Sequence, residues 1–375
     1  LCKRLNLERL VKTIDAGKQL SLELFFSAKT HKVDCPLRVI VSEAGTWQKP
    51  VALFLQKRLK LLQIDDPFLV KSSDIVISFL KDNQRTSFMP CSFDIKDLYY
   101  SLPHNELLTC IRDCIDVFGA VAFQNAAGLS VDGFMELLVM YLRSTFATWD
   151  GSIYLQRQGV CIGSCIAPVL SDLFLASVDR TIFRRLRGTK VAKVFRYVDD
   201  FLVLLDTDAW SFHSSMTQVL GIFSDCLSPL VLTHELPEAG CIRFLDLILT
   251  ICPGHVCWGY EPRAGKPPLP FESAHSKIVK RAIARTCYAH ALRRSCNHKI
   301  QHSFDRQTER LTDAGFPSHV LTAVAESLLK DIKSSPGRER SKFVVIPYIH
   351  GLAHNLKRIA GRCNVDVLFF APDKL

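Results

Sequence analysis

The sequence predicts an α+β fold, and three observations support this prediction. The 375 residues are 48% hydrophobic and 22% charged, which is the balance of a globular chain rather than a disordered one. Segments with helical periodicity and short β-branched runs follow one another irregularly, which favours α+β over a doubly wound sheet. No apolar run approaches the roughly 18 residues that a membrane-spanning helix needs, and no signal-peptide pattern is present.

The N-terminal part of the chain is predicted to be mainly helical. Apolar and charged residues alternate at helical spacing over residues 1–30, and residues 48–64 also look helical. A turn followed by a β-branched run predicts a strand within residues 31–41, whereas residues 74–81 fit a helix or a strand. Residues 89–95 form a strand candidate that contains a carboxylate near its end.

The middle of the chain is predicted to mix helices and strands. Proline suits the first turn of a helix, so a helix is predicted to open at residues 102–103 and to run to about Phe118. Two strands joined by a tight turn with two adjacent acids are predicted within residues 193–205. The other predicted elements are helices at 131–148, 168–187 and 209–227 and strands at 153–156, 230–236 and 242–251.

The C-terminal part is predicted to be helical and basic. A proline-rich linker at 262–270 precedes predicted helices at 272–300 and 304–334, with a break at residues 315–317. Residues 261–375 hold 20 Lys and Arg against 10 Asp and Glu, so the whole net charge of +10 lies here. This asymmetry suggests a module that binds a polyanion, although a solvated helical surface would carry the same charge.

The 14 cysteines form no C-x-x-C pair and no regular framework. Many lie inside apolar segments and are interpreted as small buried hydrophobes of a protein in a reducing compartment. The sequence does not predict a zinc finger either, because steps of three, six and two residues match no usual finger spacing among Cys287, His290, Cys296 and His298.

The strongest signal for chemistry is a set of carboxylates next to apolar strands. Asp199 and Asp200 lie between two apolar β-type runs, where adjacent carboxylates repel each other unless a cation is bound. Asp94 lies near the end of another apolar strand, and two such strands side by side would bring Asp94 to Asp199. Mg²⁺ prefers carboxylate and phosphate oxygens, so the pattern predicts a two-metal phosphoryl-transfer site. Taken alone, the Asp-Asp pair would fit an exposed hairpin turn.

Three segments occur in the order found in the palm of reverse transcriptases. They resemble motifs A, B and C of that family and are FDIKDLYYSLP at 93–103, QGVCIGSCIAPVLSDL at 158–173 and YVDD at 197–200. Residues 31–42 resemble the fingers motif, and residues 233–246 resemble the later palm strands. The resemblance covers about residues 25–255.

Within reverse transcriptases, the details resemble Penelope-like retroelements. These details include KTHK ahead of PLR, the full FDIKDLYYSLP segment, and IPY near the C-terminus. In those elements the polymerase leads toward a GIY-YIG endonuclease, and no such motif is present before Leu375. The chain also begins at Leu1 rather than Met, so we expect it to be the polymerase part of a longer product.

The resemblance implies a right-hand polymerase with fingers, an antiparallel palm sheet and a basic helical thumb. The implied domains are N-terminal helices and fingers (1–90), palm with part of the fingers (91–255), a helix-turn-helix-like thumb (256–335) and a C-terminal linker (336–375). The implied activity is RNA-directed DNA polymerisation with two Mg²⁺ ions, or Mn²⁺. It would use an RNA template, a DNA primer and deoxynucleoside triphosphates (dNTPs), inside the cell and in the nucleus, with no membrane association.

The resemblance also implies roles for single residues. Asp94 and Asp199 would hold the metal ions with the backbone carbonyl of Ile95, and Asp200 would support the turn or contact a metal indirectly. Tyr99, rather than its neighbour Tyr100, would pack under the sugar and exclude a ribose 2′-hydroxyl by steric clash.

Further residues are implied to contact the nucleotide. Arg38, with Lys32 behind it, would grip the triphosphate, because a planar guanidinium suits bidentate phosphate contacts. Gln158 would hydrogen-bond the template or the incoming base, and Gly159 would let the backbone approach closely. No lysine lies at 233–240, where a proton donor to pyrophosphate is expected, and His234 is the nearest ionisable donor there.

Basic residues on the predicted thumb helices would contact the phosphates of a primer–template duplex. They are Lys277, Lys280, Arg281, Arg285, Arg293, Arg294 and, at the end of this run, Lys299. Three alternatives to a retroelement polymerase remain. They are a decayed element product that only binds nucleic acid, a telomerase-like polymerase, and a metal-dependent phosphatase that would need neither Gln158 nor the basic tail.

Overall fold

The structure is a computed structural model that describes residues 1–17, 19–28, 35–62, 64–84, 86–262, 267–334, 342–347, 352–362 and 365–370. It divides into two compact units. The first unit comprises Leu1–Pro267 with His290–Arg306, and the second comprises Pro268–Ala289 with Gln307–Leu375. The domain boundaries expected at residues 90, 255 and 335 stay predictions.

The α+β prediction is confirmed, because helices and largely antiparallel sheets both build the chain. The helices are α1 (Glu8–Asp15), α2 (Gln48–Leu59), α3 (Asp74–Asp82), α4 (Leu98–Ser101), α5 (His104–Phe118), α6 (Ala120–Ala127), α7 (Val131–Leu142), α8 (Ala167–Arg185), α9 (Phe212–Leu227), α10 (Lys277–Arg294), α11 (Ile300–Asp313), α12 (Ser318–Ser334) and α13 (Ala353–Arg362).

The strands alternate with the helices through most of the chain. They are β1 (Leu22–Ala28), β2 (Leu37–Ser42), β3 (Met89–Ile95), β4 (Phe146–Trp149), β5 (Ser152–Leu155), β6 (Val191–Tyr197), β7 (Asp200–Leu205), β8 (Leu232–Glu235), β9 (Cys241–Phe244), β10 (Leu247–Cys252), β11 (His255–Tyr260), β12 (Lys342–Pro347) and β13 (Val365–Phe370).

Three sheets lie in the first unit. The central one has the strand order β6-β7-β3-β8 with every pair antiparallel, as expected for the palm. A second sheet has the order β2-β1-β4-β5, in which β1 and β4 are parallel, and a third has the order β11-β10-β9.

The central sheet is buried on both faces, which explains the unbroken apolar run of β7. Phe201 and Phe93 pack on one face against Phe223 of α9, with ring centroids 5.3 Å and 5.0 Å from it. Leu202 and Leu204 belong to a second core on the other face, which includes Trp258 of β11. Successive side chains of a strand point to opposite faces, so β7 supplies both cores.

Several predicted elements differ from the structure. Residues 22–28 form strand β1 rather than part of a helix, because residues 23–28 of β1 pair with β2. The helix predicted at 131–148 ends at Leu142 and is followed by β4. The strand predicted at 242–251 is two strands, and β11 was missed. Residues 74–82 are helical, which resolves the ambiguity there. Tertiary pairing overrides local periodicity in these short segments.

The second unit contains the helical break that the sequence predicts. Gly315, with a φ of 81°, ends the turn after α11, and the N–H of Phe316 donates to the carbonyl of Leu311 at 3.0 Å. The ring of Phe316 packs against Phe271, with centroids 5.2 Å apart. Strands β12 and β13 pair in parallel within this unit. Across the described residues of the chain, we find no helix with the length and apolar character needed to cross a membrane.

Candidate active site

The predicted carboxylates meet at one end of the central sheet. Asp94 in β3 is the register partner of Asp200, the first residue of β7. The next rung joins the N–H of Ile95 to the carbonyl oxygen of Asp199 at 3.1 Å. All three acids are partly buried. The sheet register therefore pairs Asp94 with Asp200 and places Asp199 one rung further, whereas the sequence favoured Asp199 as the partner of Asp94.

The turn that carries Asp199 has an unusual backbone. Val198 has a φ of 58°, a left-handed conformation that is strained for a β-branched residue. Nη1 of Arg196 donates a hydrogen bond to the carbonyl of Val198 at 2.9 Å. This contact holds the peptide that leads into Asp199.

Arg196 is fully buried and is held by two acids. Its Nε donates to Oδ2 of Asp179 on α8, and its Nη2 donates to Oδ2 of Asp66, both at 2.5 Å. Burial acts to lower the pKa of Arg196, but the charges of Asp179 and Asp66 outweigh it and the net pKa is raised. Burial also raises the pKa of Asp179 to about 8, against the lowering effect of the Arg196 charge. The two carboxyl groups give the buried guanidinium the hydrogen-bond partners that a buried charge needs.

Tyr99 in α4 is partly buried, and the charges of Asp199 and Arg38 both act on its phenol. Burial raises the pKa of its phenol, and a hydrogen bond with the Ser171 side chain is the largest opposing effect. The charges of Asp172, Asp199 and Arg38 also act on this phenol, so these groups are its neighbours. The steric-gate role of Tyr99 remains a prediction, and its position beside Asp199 is compatible with that role.

Tyr100 makes a different contact from Tyr99. Its hydroxyl donates a hydrogen bond to the backbone carbonyl of Val39 in β2, next to Arg38. Burial raises the pKa of Tyr100, and the charge of Arg38 opposes that rise. Arg38 itself is exposed on β2. Lys32, its predicted companion, lies outside the described residues.

The segment that resembles motif B is held by close backbone contacts. Gly159, with a φ of 71°, packs so closely on the carbonyls of Tyr99 and Tyr100 that a Cβ would overlap with both. Gly163, with a φ of 109°, packs on β2, where a Cβ would lie 2.6 Å from the carbonyl oxygen of Val41. The need for glycine at 159 thus comes from the protein's own backbone, whereas the sequence suggested an approach to the nucleotide. Gly163 was not singled out from the sequence.

Gln158 is exposed and lines a cavity of about 590 Å³. Arg143, Arg157 and His104 line the same cavity. His104 is fixed there by a 2.7 Å hydrogen bond between its Nε2 and the carbonyl oxygen of Gly159. The lining therefore includes two arginines and one acid, Glu106, so basic groups outnumber acidic ones there.

His234 lies on β8 and was the nearest candidate proton donor. The register pairs His234 with Phe93, whereas Thr233 is the partner of Asp94. Side chains of register partners share a face of the sheet, so His234 is directed to the face opposite Asp94. The geometry therefore disfavours His234 as the general acid.

The predicted nucleic-acid-binding residues lie on α10, apart from Lys299 between α10 and α11, and those on α10 fall into two groups. Lys277, Lys280, Arg281 and Arg285 belong to the second unit, and Arg293 and Arg294 belong to the first. Within the second unit, Lys277 and Arg281 are exposed and Arg285 pairs with Asp331 at 2.6 Å.

Arg294, unlike the exposed basic residues of α10, is partly buried and forms two ion pairs. Its guanidinium pairs with Asp246 at 2.5 Å and with Asp74 at 3.0 Å, and its side chain is only 21% exposed. These contacts give Arg294 a structural role within the first unit. Arg293 beside it is exposed.

Comparison with solved structures shows a similar fold. Telomerase from Candida albicans, in complex with a fragment of telomeric RNA, matches with a TM-score of 0.55 over 90% of this chain at 12% identity. The chain has a polymerase fold. Telomerase from Candida tropicalis, again with a telomeric RNA fragment, matches with a TM-score of 0.51 over 89% of the chain at 15% identity.

The similarity to these telomerases is one of fold, and it covers only part of their length. The chain spans 61% and 58% of those two telomerase chains, and 63% of an apo Candida tropicalis telomerase that it matches with a TM-score of 0.50. No protein-family model and no curated protein matches the sequence.

The sequence did not predict the buried cluster of Arg196, Asp66 and Asp179 that supports this site. Arg196 precedes the YVDD turn by one residue, but its partners Asp66 and Asp179 lie 130 and 17 residues away. A basic residue inside an apolar strand was the available signal, because a buried charge needs a partner.

Proposed function

We propose that this chain is an RNA-directed DNA polymerase that adds deoxynucleotides to a primer 3′-end. The proposal depends chiefly on one observation, the register that pairs Asp94 with Asp200 and brings Asp199 onto the next rung. The polymerase fold and the ordered motifs that resemble reverse transcriptases support it. The Penelope-like origin, the role in a retroelement and the nuclear site of action rest on the motif resemblance.

The donor set at this site fits Mg²⁺ or Mn²⁺. Asp94, Asp199 and Asp200 offer carboxylate oxygens, and Ile95 offers a backbone carbonyl, which are the hard donors that these ions prefer. Two bound ions would activate the primer 3′-oxygen and neutralise charge on the triphosphate. Asp94 and Asp199 are the proposed principal ligands, and Asp200, the register partner of Asp94, would support the turn or contact a metal indirectly.

The other residues would position the nucleotide. Arg38 is exposed next to the Tyr100–Val39 hydrogen bond and would bind the triphosphate, with Lys32 as its proposed companion. Tyr99, beside Asp199, would meet the sugar and exclude a ribose 2′-hydroxyl. Gln158, which lines the same cavity as Arg143 and Arg157, would contact the template strand.

Primer extension tests the proposal. The purified chain is given a DNA primer on an RNA template with dNTPs and Mg²⁺, and product length is followed on a gel. Asp94→Asn and Asp199→Asn should each abolish extension, because either change removes a carboxylate charge from the metal site. Asp116→Asn, which changes an exposed aspartate of α5, is the matched control and should extend like the wild type.

Three results would overturn this proposal in whole or in part. Duplex binding without extension in Mg²⁺ or Mn²⁺ would identify a remnant that only binds nucleic acid. Hydrolysis of phosphate esters without primer extension would identify the phosphatase. Extension on a DNA template but not on RNA would contradict the RNA-directed part. A telomerase-like enzyme predicts repeated addition from one short RNA template, which the product ladder would show.

A further inference from the structure

A cluster of histidine and cysteine side chains lies at the turn end of the β10–β11 hairpin. His255 and Cys257 are on β11, and His298 is in the segment between α10 and α11. All three residues belong to the first compact unit. The proposed polymerase site uses none of them. In the sequence, His298 was weighed as a zinc ligand with Cys287, His290 and Cys296, and not with His255 or Cys257.

The three potential donor atoms form a small triangle. Sγ of Cys257 lies 3.0 Å from Nε2 of His255 and 3.6 Å from Nδ1 of His298. The two ring nitrogens are 3.1 Å apart. In tetrahedral zinc sites with bonds of about 2.0–2.3 Å, neighbouring donor atoms are about 3.3–3.8 Å apart. The observed triangle is close to that size.

Hydrogen bonds alone do not satisfy this triangle. An imidazole nitrogen carries either one proton or one lone pair, so Nε2 of His255 can make one good hydrogen bond. It nevertheless has two close neighbours, the Cys257 thiol and the His298 ring nitrogen. The third side, between Cys257 and His298, is also within hydrogen-bonding range. A cation at the centre accepts all three lone pairs at once.

Further thiols lie beside this triangle. Burial raises the pKa of the Cys257 thiol, and the neighbouring thiols of Cys252 and Cys296 add to that rise. Cys252 is the register partner of His255 across the hairpin turn. The N–H of Cys296 donates to the carbonyl of Trp258 at 2.9 Å, which fixes the segment that carries His298 against β11. The described cysteines are all free of disulfides, so these thiols are available as donors.

We propose that His255, Cys257 and His298 bind one Zn²⁺ ion, with a thiol of Cys252 or Cys296 as the fourth donor. Imidazole and thiolate donors select zinc over Mg²⁺, which prefers oxygen. The ion would join the β10–β11 hairpin to a residue 41 positions beyond Cys257. Its role would be structural, because four protein donors leave no open position for a substrate.

Metal analysis of tag-free protein tests this site. The purified chain is passed over a chelating resin, and its metal content is measured by inductively coupled plasma mass spectrometry. We expect one zinc ion per chain. Co²⁺ substitution should give the visible bands of a tetrahedral site and a near-ultraviolet thiolate charge-transfer band with the intensity of two thiolates. His298→Gln should lose the zinc and both spectral features. His298 is exposed, so this change should leave the fold intact.

Matched variants distinguish zinc at this cluster from a metal ion bound elsewhere on the chain. Cys241→Ser lies in the same sheet outside the cluster, and His213→Gln changes an exposed histidine elsewhere, so both should keep the zinc. Asp199→Asn should also keep it, which distinguishes the ion from one at the polymerase site. A folded wild-type chain with no zinc and no cobalt spectrum would overturn the proposal. Zinc that persists in His298→Gln would do the same.

Discussion

Nη1 of Arg196 donates a hydrogen bond to the backbone carbonyl of Val198 at 2.9 Å, one residue before Asp199. The same guanidinium is held by Asp179 and Asp66, and none of its side chain is exposed. A buried ion cluster thus fixes the strained peptide that positions a proposed metal ligand. A substitution of Arg196 tests this contact.

Arg196→Lys should slow primer extension more than it destabilises the fold. Lysine keeps the charge but lacks the planar fork that reaches Asp179, Asp66 and the Val198 carbonyl together. We expect a fall in kcat of about 100-fold, corresponding to roughly 3 kcal/mol. Arg196→Met should instead unfold more easily by about 3–5 kcal/mol, because it leaves the buried carboxyl groups of Asp66 and Asp179 without their hydrogen-bond donor. An Arg196→Lys chain with wild-type kcat would contradict the positioning role.

Asp179→Asn should remove a pH dependence of stability. Burial raises the pKa of Asp179 to about 8, so the folded chain keeps a proton that the unfolded chain releases above about pH 4. Its contribution to stability is complete below pH 4 and is lost as the pH rises through 8, at up to about 1.4 kcal/mol per pH unit. Denaturant unfolding of wild type and variant from pH 4 to 8 measures this. Parallel curves would show that Asp179 is ionised in the folded chain.

Gly159→Ala should cost more stability than Gly151→Ala. Both glycines have a φ of 71°, so alanine is strained at either position by about 1–2 kcal/mol. A Cβ at 151 meets nothing within 4 Å, whereas at 159 it overlaps with the carbonyls of Tyr99 and Tyr100. We expect a further loss of about 1–3 kcal/mol at 159 and weaker extension, because the backbone beside Tyr99 must shift. Equal losses in the two variants would show that this packing is loose.

Tyr99→Ala should weaken the discrimination between deoxynucleotides and ribonucleotides. If the Tyr99 ring excludes a 2′-hydroxyl, its removal should raise ribonucleotide incorporation relative to dNTP incorporation by about 10-fold or more, the equivalent of roughly 1.4 kcal/mol. The matched control is Tyr100→Phe, which removes only the hydrogen bond to Val39 and should keep the selectivity. Competitive incorporation into one primer measures the ratio. A change in Tyr100→Phe but not in Tyr99→Ala would reverse the assignment.

Neutralising Lys277 and Arg281 together should flatten the salt dependence of duplex binding. Both side chains are exposed on α10, and removing one phosphate contact should reduce the slope of log K against log salt by about 0.9. Arg285→Gln should have a smaller effect, because Arg285 already pairs with Asp331. Arg187→Gln, at an exposed site in the first unit, is the control. An unchanged slope in the Lys277/Arg281 double variant would show that these two side chains are solvated and do not contact the duplex.

Much of the fold was predictable because its signals are local. The strand at 89–95 and the break at Gly315 follow from apolar periodicity and from glycine and proline positions. Helices at 168–187 and 209–227 were predicted to within a few residues of α8 and α9. Strands β1 and β11 were missed, because short segments carry few periods and depend on the partner strand that accepts their hydrogen bonds.

The sequence by itself determined the α+β class, the convergence of Asp94 with the YVDD acids, and the basic character of the C-terminal helices. Only the tertiary structure decided that Asp66 and Asp179 hold Arg196, that Gly159 packs on its own protein's backbone, and that His298 meets His255 and Cys257. The physical reason is the range of the interactions. Periodicity and motif spacing report on residues that are close along the chain. The buried ion cluster and the histidine–cysteine cluster join residues that become neighbours only when strands pair and helices pack.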